Sequence, residues 1–426
     1  MMSGKDNATS WLVLSVVTFS VFLEIGTVKG FSVLLPDLKE QLDTQTWIVG
    51  SSIAIITAFG YLLGLSSGFF VKVFSPRICV MTSGLIASIG LIVCSLATSP
   101  PTLLLGLMFT GFLLVQETVL VGVVPEYFDK YYKAAVGIYA CGTGLGIVIL
   151  PIITQLLLDL YGWRGALLIL SGISFHSVPC GALIKAHISH ETKLSQDNVY
   201  HQLFNAEDAV AEDKSLPRKL LQDLSEAIGL PLLTRLPFIT RVVIPGFIWG
   251  YTLIGWMIYM VSFAVSNGLS IKQGSIVAAS GGVGVVVVRI SIPLLHKYMT
   301  YKELLYISSV ITAISLSLTT FFTSYIALNI ISLFFGLGIG CLGGELYISA
   351  KVNSEDSEHF YAIAWIHVAY GSGSILSGIV TGLLYDVTGS FTISFNILAA
   401  ITLMTTVSLG CGDIFGIKKT CLGNVL

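Results

Sequence analysis

Ionisable side chains stand where apolar residues surround them on both sides. Glu24 and Lys29, Glu117, Arg289 and Glu345 each interrupt a long hydrophobic run. A charge inside a bilayer is costly unless something pairs with it, so each of these groups is a candidate functional residue. Their chemistry divides by type. Lys29 and Arg289 are cations that attract a carboxylate, Lys29 as a point charge and Arg289 as a fork of donors that meets both oxygens. Glu117 and Glu345 occupy corresponding places in the two halves of the chain. They can carry a proton, or hold the cations while no substrate is bound. Glu24 is a further proton-coupling candidate. It lies roughly 140° around a helix from Lys29, a poor position for pairing, and so ranks behind the other two acids. His176 and His367 read as hydrogen-bonded packing residues.

Other groups have types or spacings that suggest chemistry. Phe247, Trp249, Tyr251, Trp256 and Tyr259 crowd one run, and Trp249 is the candidate apolar wall of a substrate pocket. His187, His190 and Glu191 have metal-like spacing but lack a fourth ligand. The cysteines are scattered with no CxxC, and no GxxxxGK loop occurs. The expectation is therefore no metal and no cofactor. Gly64-Leu65-Ser66-Ser67-Gly68 spells GxSxG, so an intramembrane serine hydrolase is the remote alternative. That motif needs a strand-turn-helix elbow, and here it falls inside an apolar helix.

The elements that would position these residues follow from composition. Of 426 residues, 54% are apolar and 11% are charged, and the mean hydropathy is +0.86. So little charge cannot coat a soluble protein of this length. A net charge of −2 offers no field for nucleic acid. Runs long enough to cross a bilayer recur at 11–35, 47–70, 78–98, 102–124, 134–158 and 165–184, then at 238–265, 274–295, 304–322, 325–350, 361–384 and 391–414. The expected fold is an all-α membrane protein of twelve transmembrane helices in two bundles of six. The expected division is an N-terminal tail over 1–10, a first bundle over 11–184, a polar linker over 185–237, a second bundle over 238–414 and a C-terminal tail over 415–426. Most Lys and Arg residues fall on one side of this arrangement, whereas Lys39, Arg164 and Lys272 fall on the other. Both termini and the linker are thus expected in the cytoplasm.

Tyr127-Phe128-Asp129-Lys130 leads through Ala140-Cys141-Gly142-Thr143-Gly144-Leu145-Gly146 and Pro151 to Tyr161-Gly162-Trp163-Arg164-Gly165-Ala166-Leu167-Leu168-Ile169-Leu170. This block resembles the fourth-to-sixth-helix region of the monocarboxylate transporter family within the major facilitator superfamily. Cys180-Gly181-Ala182-Leu183 and the stretch from Gly378 to Gly389 resemble it too. The resemblance implies the major facilitator fold in the plasma membrane. It implies alternating access for a small organic anion, an expected proton link, and for some relatives a single-span ancillary protein with immunoglobulin-like domains. It makes Lys29 a substrate contact, joined in the candidate set by Arg289, Glu117, Glu345 and Trp249. The chain departs from the family in two places. Asp6 to Trp11 keeps little of the family's opening motif, and Val285 stands where the family has an acid four residues before Arg289. A carrier of a zwitterionic, amino-acid-like or guanidino substrate without proton coupling is the alternative. Gly64 and Gly68, Gly142 and Gly146 are small residues four apart, which lets helices approach closely. With Arg77 and Arg164 they form the expected gating and packing set.

Overall fold

The computed structural model describes residues 6–64, 67–184, 229–355 and 358–423, with the side chains of 67–73, 121–123, 125–126, 132–134, 136, 359–360 and 413–423 left aside. The linker residues 185–228, including His187, His190 and Glu191, lie outside the described residues, as does Ser66.

The apolar runs are helices. The first bundle holds α1 (Ala8–Gln41), α2 (Thr46–Gly64), α3 (Ser67–Ser95) and α4, which is Pro100–Thr110 continued as Phe112–Tyr127. α5 and α6 share the stretch Tyr132–Phe175 and part at Gly162, where φ is 66°. Only glycine takes that conformation without strain. The second bundle holds α7 (Leu236–Ser266), α8 (Ile271–Leu295), α9 (Tyr301–Phe321), α10 (Tyr325–Val352), α11 (His359–Thr388) and α12 (Thr392–Gly423). Among the described residues eleven stretches are long and apolar enough to cross a membrane, and Gly137–Ala182 is a single stretch containing the Gly162 turn. Counting its two limbs gives the twelve expected.

Sequence also sets where helices begin. Asn7 caps α1 through Ser10 N–H at 3.0 Å. Ser270 with Gln273 and Thr300 with Glu303 close capping boxes on α8 and α9. Several ends differ from the hydropathy reading: α1 runs on to Gln41, α2 stops at Gly64 and α3 begins at Ser67. α7 begins at Leu236, preceded by a 3-10 turn at Leu230–Thr234, and α12 runs past residue 414 to Gly423. Hydropathy marks the apolar run, whereas a helix continues until something caps or breaks it.

An even number of spans puts the start of α1, the described residues that flank 185–228 and the end of α12 at one end of the molecule, called here the linker end. The opposite end is the far end. Within the bundles small residues allow close crossings. Gly142 and Gly146 of α5 sit against Thr18, Phe22 and Gly26 of α1. Gly336 of α10 sits so close to α8 that an added Cβ would lie 1.9 Å from the Gly281 carbonyl oxygen. Gly336→Ala is therefore expected to destabilise the second bundle by about 1–3 kcal/mol. A lowered thermal unfolding midpoint in detergent would register this; an unchanged midpoint would contradict it.

The longest contacts between the bundles are those of α1 with α7, α2 with α11, and α5 with α8. The far end is shut. Asp386 of α11 accepts the Trp47 backbone N–H of α2 at 2.9 Å and stands 4.0 Å from the Lys39 ammonium. Lys39 also lies over the Tyr385 ring. Deeper in, Gly50 of α2 faces Tyr259 of α7, and Gly378 of α11 meets Ala54, Gly50 and Ser51. At the linker end Arg235 grips Glu358 through two hydrogen bonds of 2.8 Å. Those bonds hold the Glu358 carboxyl below the usual glutamate range. The grip thus persists at neutral pH and is lost only as pH falls through that lowered value. Being exposed, it adds little stability.

Candidate functional site

The ionisable residues picked out in the sequence lie along the boundary between the bundles, in three places. Nearest the far end is Lys29. Gly26 and Gly30 seat α1 against Leu150 and Thr154 of α5. Lys29, about 100° around the helix from Gly30, meets α7 instead. Its side chain is fully buried. Its ammonium donates to the Met257 carbonyl at 2.5 Å and lies 4.5 Å from the Trp256 ring centroid. Among the described residues no carboxylate pairs with it. A carbonyl and an aromatic face solvate a cation only partly, and the charge itself stays unmatched.

The middle place holds the two acids of the first bundle. Tyr61 of α2 donates its hydroxyl to Glu117 Oε2 at 2.7 Å and stands 3.4 Å from Glu24 Oε1. The two carboxyl groups thus meet at one hydroxyl. The Tyr61 ring stacks on His367 of α11, with centroids 4.5 Å apart, and meets Tyr370 edge-on. His367 Nε2 is 2.9 Å from the Tyr347 hydroxyl of α10, and its Nδ1 is 3.5 Å from Thr118 Oγ1 of α4. Trp249 of α7 packs its ring against Tyr370 and Tyr347, while its indole Nε1 is buried without a hydrogen-bond partner. Glu24, Tyr61, Glu117, Tyr347, His367 and Tyr370 thus form one polar cluster across the boundary. The sequence reading does not single out Tyr61, Tyr347 or Tyr370, whereas His367 is the hydrogen-bonded packing residue it expects. Each of these polar-tipped rings, buried in an apolar run, has to find a partner, and that was the available signal.

Nearer the linker end lie Arg289 and Glu345. The Arg289 guanidinium is beside Gly344 of α10, 3.1 Å from where a Cβ would stand, and its Nε is buried without a partner. Its field reaches Glu345 and Cys141. The Glu345 side chain is fully buried, and His296, at the end of α8, approaches its Oε1 to 3.1 Å. That approach does not have the angle of a hydrogen bond, and neither carboxyl oxygen has a hydrogen-bond partner.

Of the remaining candidates, Gly64 lies beside the middle cluster and the others lie away from the boundary charges. Arg164 donates to the Ala97 carbonyl at 2.8 Å and stacks on Trp163 at the far end. Gly64 faces Thr118 Oγ1. Gly68 is helical, and its surroundings lie outside the described residues. Arg77 is exposed in α3, just after the break at Ser75, where φ is 74°. His176 is exposed and bonds only the carbonyls of Gly172 and Ile173.

Comparison with known proteins agrees with this architecture. The family model of the Major Facilitator Superfamily matches residues 17–352. Monocarboxylate transporter 13 of Rattus norvegicus is 26% identical over 93% of this chain and 87% of its own length. Monocarboxylate transporter 12 of the same species is 26% identical over 79% of this chain and 71% of its own length. Monocarboxylate transporter 11 of Homo sapiens is 33% identical over 42% of this chain and 38% of its own length. Among solved structures, a POT family transporter in complex with 5-aminolevulinic acid superposes with a TM-score of 0.69 at 15% identity, over 92% of this chain and 94% of that one. That likeness concerns the fold. The chain belongs to the major facilitator superfamily, and is a multi-pass membrane transporter, not an enzyme, of the type whose curated relatives are named monocarboxylate transporters.

Proposed function

We propose that the protein moves a small, monocarboxylate-like organic anion across the plasma membrane by alternating access, with the far end outside and both termini in the cytoplasm. The observation that carries this reading is Lys29: a fully buried ammonium at the bundle boundary that pairs with no carboxylate among the described residues. A substrate carboxylate would supply the missing charge and touch both bundles at once. Arg289, with its buried unpartnered Nε, is a second anion contact further along the path toward the linker end. The distribution of Lys and Arg supports the orientation, and the names of the relatives support the substrate class.

Arg289→Ala is expected to lower uptake about tenfold, the equivalent of ~1.4 kcal/mol, with purified protein still monodisperse. Arg289→Lys should rescue it poorly because a point charge lacks the fork. Unchanged uptake in Arg289→Ala would remove Arg289 from the path.

A second reading has its own support. Glu24 and Glu117 lie on the same boundary as Lys29, so acids and a cation both face the path of a substrate bearing both signs. The two readings separate in proteoliposome uptake with labelled monocarboxylates, amino acids and guanidino compounds, each with and without a pH gradient. Saturable uptake of a monocarboxylate fits the first. Uptake confined to amino acids or guanidino compounds fits the second and overturns the first.

A further inference from the structure

We propose that Glu24, Tyr61 and Glu117 form a proton-binding site, and that one proton held between the two carboxyl groups is what allows the bundles to shut over them. This rests on reading the chain as a rocking carrier, and it names the place on the first bundle where a proton binds.

The acids come from α1 and α4 and meet through a tyrosine of α2, so all three belong to the first bundle. Glu24 is 1% exposed, Tyr61 3% and Glu117 9%. Two carboxylates this close cannot both stay ionised in a buried setting. Tyr61 has one hydroxyl proton, and it goes to Glu117 at 2.7 Å. Among the described residues no lysine or arginine forms an ion pair with either acid. Lys29, on the same helix as Glu24, is engaged by Met257 and Trp256 of α7. The neutralising charge is therefore a proton. It comes from water, turns one carboxylate into the acid, and leaves that O–H donating to the other carboxylate. No other bond is made or broken.

The lid over this pair belongs to the second bundle. His367 covers the Tyr61 ring and is itself held by Tyr347, and Tyr370 abuts Tyr61 from the side. Both ring nitrogens of His367 face hydroxyl groups, Tyr347 on one side and Thr118 on the other, which suits a neutral imidazole with one donor and one acceptor. Trp249 of α7 brings no charge. Arg289 on α8 and Tyr139 on α5 are further titratable groups near Tyr347. When the bundles part, the lid leaves with the second bundle and water reaches the acids. When they shut, the proton is locked in. Loading and release thereby become steps of the transport cycle. The site stands apart from α8, where Val285 occupies the position one turn before Arg289 and can take no proton.

Infrared spectroscopy of purified protein in lipid, without substrate and near neutral pH, tests the site directly. Glu345→Gln serves as the background, so that Glu345 contributes nothing. The expected result is a protonated-carboxyl C=O band that disappears in both Glu24→Gln and Glu117→Gln, because the remaining acid loses its like-charged neighbour. The band should shift in Tyr61→Phe, which removes one hydrogen bond. Absence of the band in the background protein, or its persistence in both glutamine variants, overturns the proposal. Transport gives a second readout with labelled pyruvate as probe. An inward proton gradient should raise its accumulation in the parent by about tenfold per pH unit for one proton per substrate. Glu117→Gln should lose the dependence of accumulation on the proton gradient, so that its internal pyruvate no longer rises with the pH difference. If the parent carries no labelled monocarboxylate, the substrate reading fails, while the infrared result still decides the proton site.

Discussion

Lys29→Gln is expected to reduce uptake at least a hundredfold while the protein remains folded and correctly inserted. The size follows from the setting. Removing one partner of a buried charge pair costs about 3–5 kcal/mol, and ~2.7 kcal/mol already corresponds to a hundredfold in affinity. Glutamine keeps the length and a donor for the Met257 carbonyl, so the loss would measure the charge. Lys29→Arg should fail too. The slot between the Met257 carbonyl and the Trp256 ring accommodates a slender ammonium, whereas a planar guanidinium is wider and needs several acceptors. Initial rates in proteoliposomes, normalised to incorporated protein, check this. Rates within a few-fold of the parent in Lys29→Gln would show that substrate does not depend on this charge.

Gly50→Val is expected to abolish net transport by a different route. An added Cβ on Gly50 would lie 1.7 Å from the Tyr259 hydroxyl, which bonds the Gly378 carbonyl. A branched side chain there forces α2 away from α7 and α11, so the far end cannot close. Either Tyr259 moves aside or the shut form is lost. Because Tyr259 belongs to the other bundle, the fold of each bundle should survive. Modification of a cysteine introduced by Ser51→Cys, using a membrane-impermeant thiol reagent, reads the opening. It should be faster in the Gly50→Val protein than in the parent. Adding Tyr259→Leu should restore part of the uptake by making room. Parent-like labelling together with parent-like uptake would show that this crossing does not close the pathway.

The twelve spans were legible because a bilayer demands about 20 apolar residues per crossing, and the demand leaves a plain mark on the sequence. The Gly162 turn was legible only as part of the Tyr161-Gly162-Trp163-Arg164 block; in the structure its positive φ is what parts α5 from α6. The candidate site was legible by residue but not by grouping. Lys29, Glu117, Arg289 and Glu345 announced themselves because charge is rare in such runs. Glu24 could be judged only by its angle to Lys29, the one relation its own helix offers. Its partners stand on α2 and α4, and helical spacing does not encode which helices meet. Tyr61 left a weaker signal still. A tyrosine in an apolar run reads as packing until the structure shows both acids at its hydroxyl. Arg289 lacks an acid one turn before it, and the sequence could say only that its counter-charge comes from another helix or from substrate. The structure brings the field of Arg289 to Glu345 on α10, and Glu345 lies closer to His296.

Counterflow tests the central claim most directly. Proteoliposomes carrying the protein are loaded with an unlabelled monocarboxylate, and the same compound, labelled, is added outside without any ion gradient. A carrier that alternates access and binds the anion through Lys29 gives a transient overshoot of internal label that saturates with concentration and is lost in Lys29→Gln. No overshoot with any monocarboxylate, alongside overshoot with an amino acid or guanidino compound, would contradict the assignment of substrate. An overshoot undiminished in Lys29→Gln would contradict the assignment of the anchor.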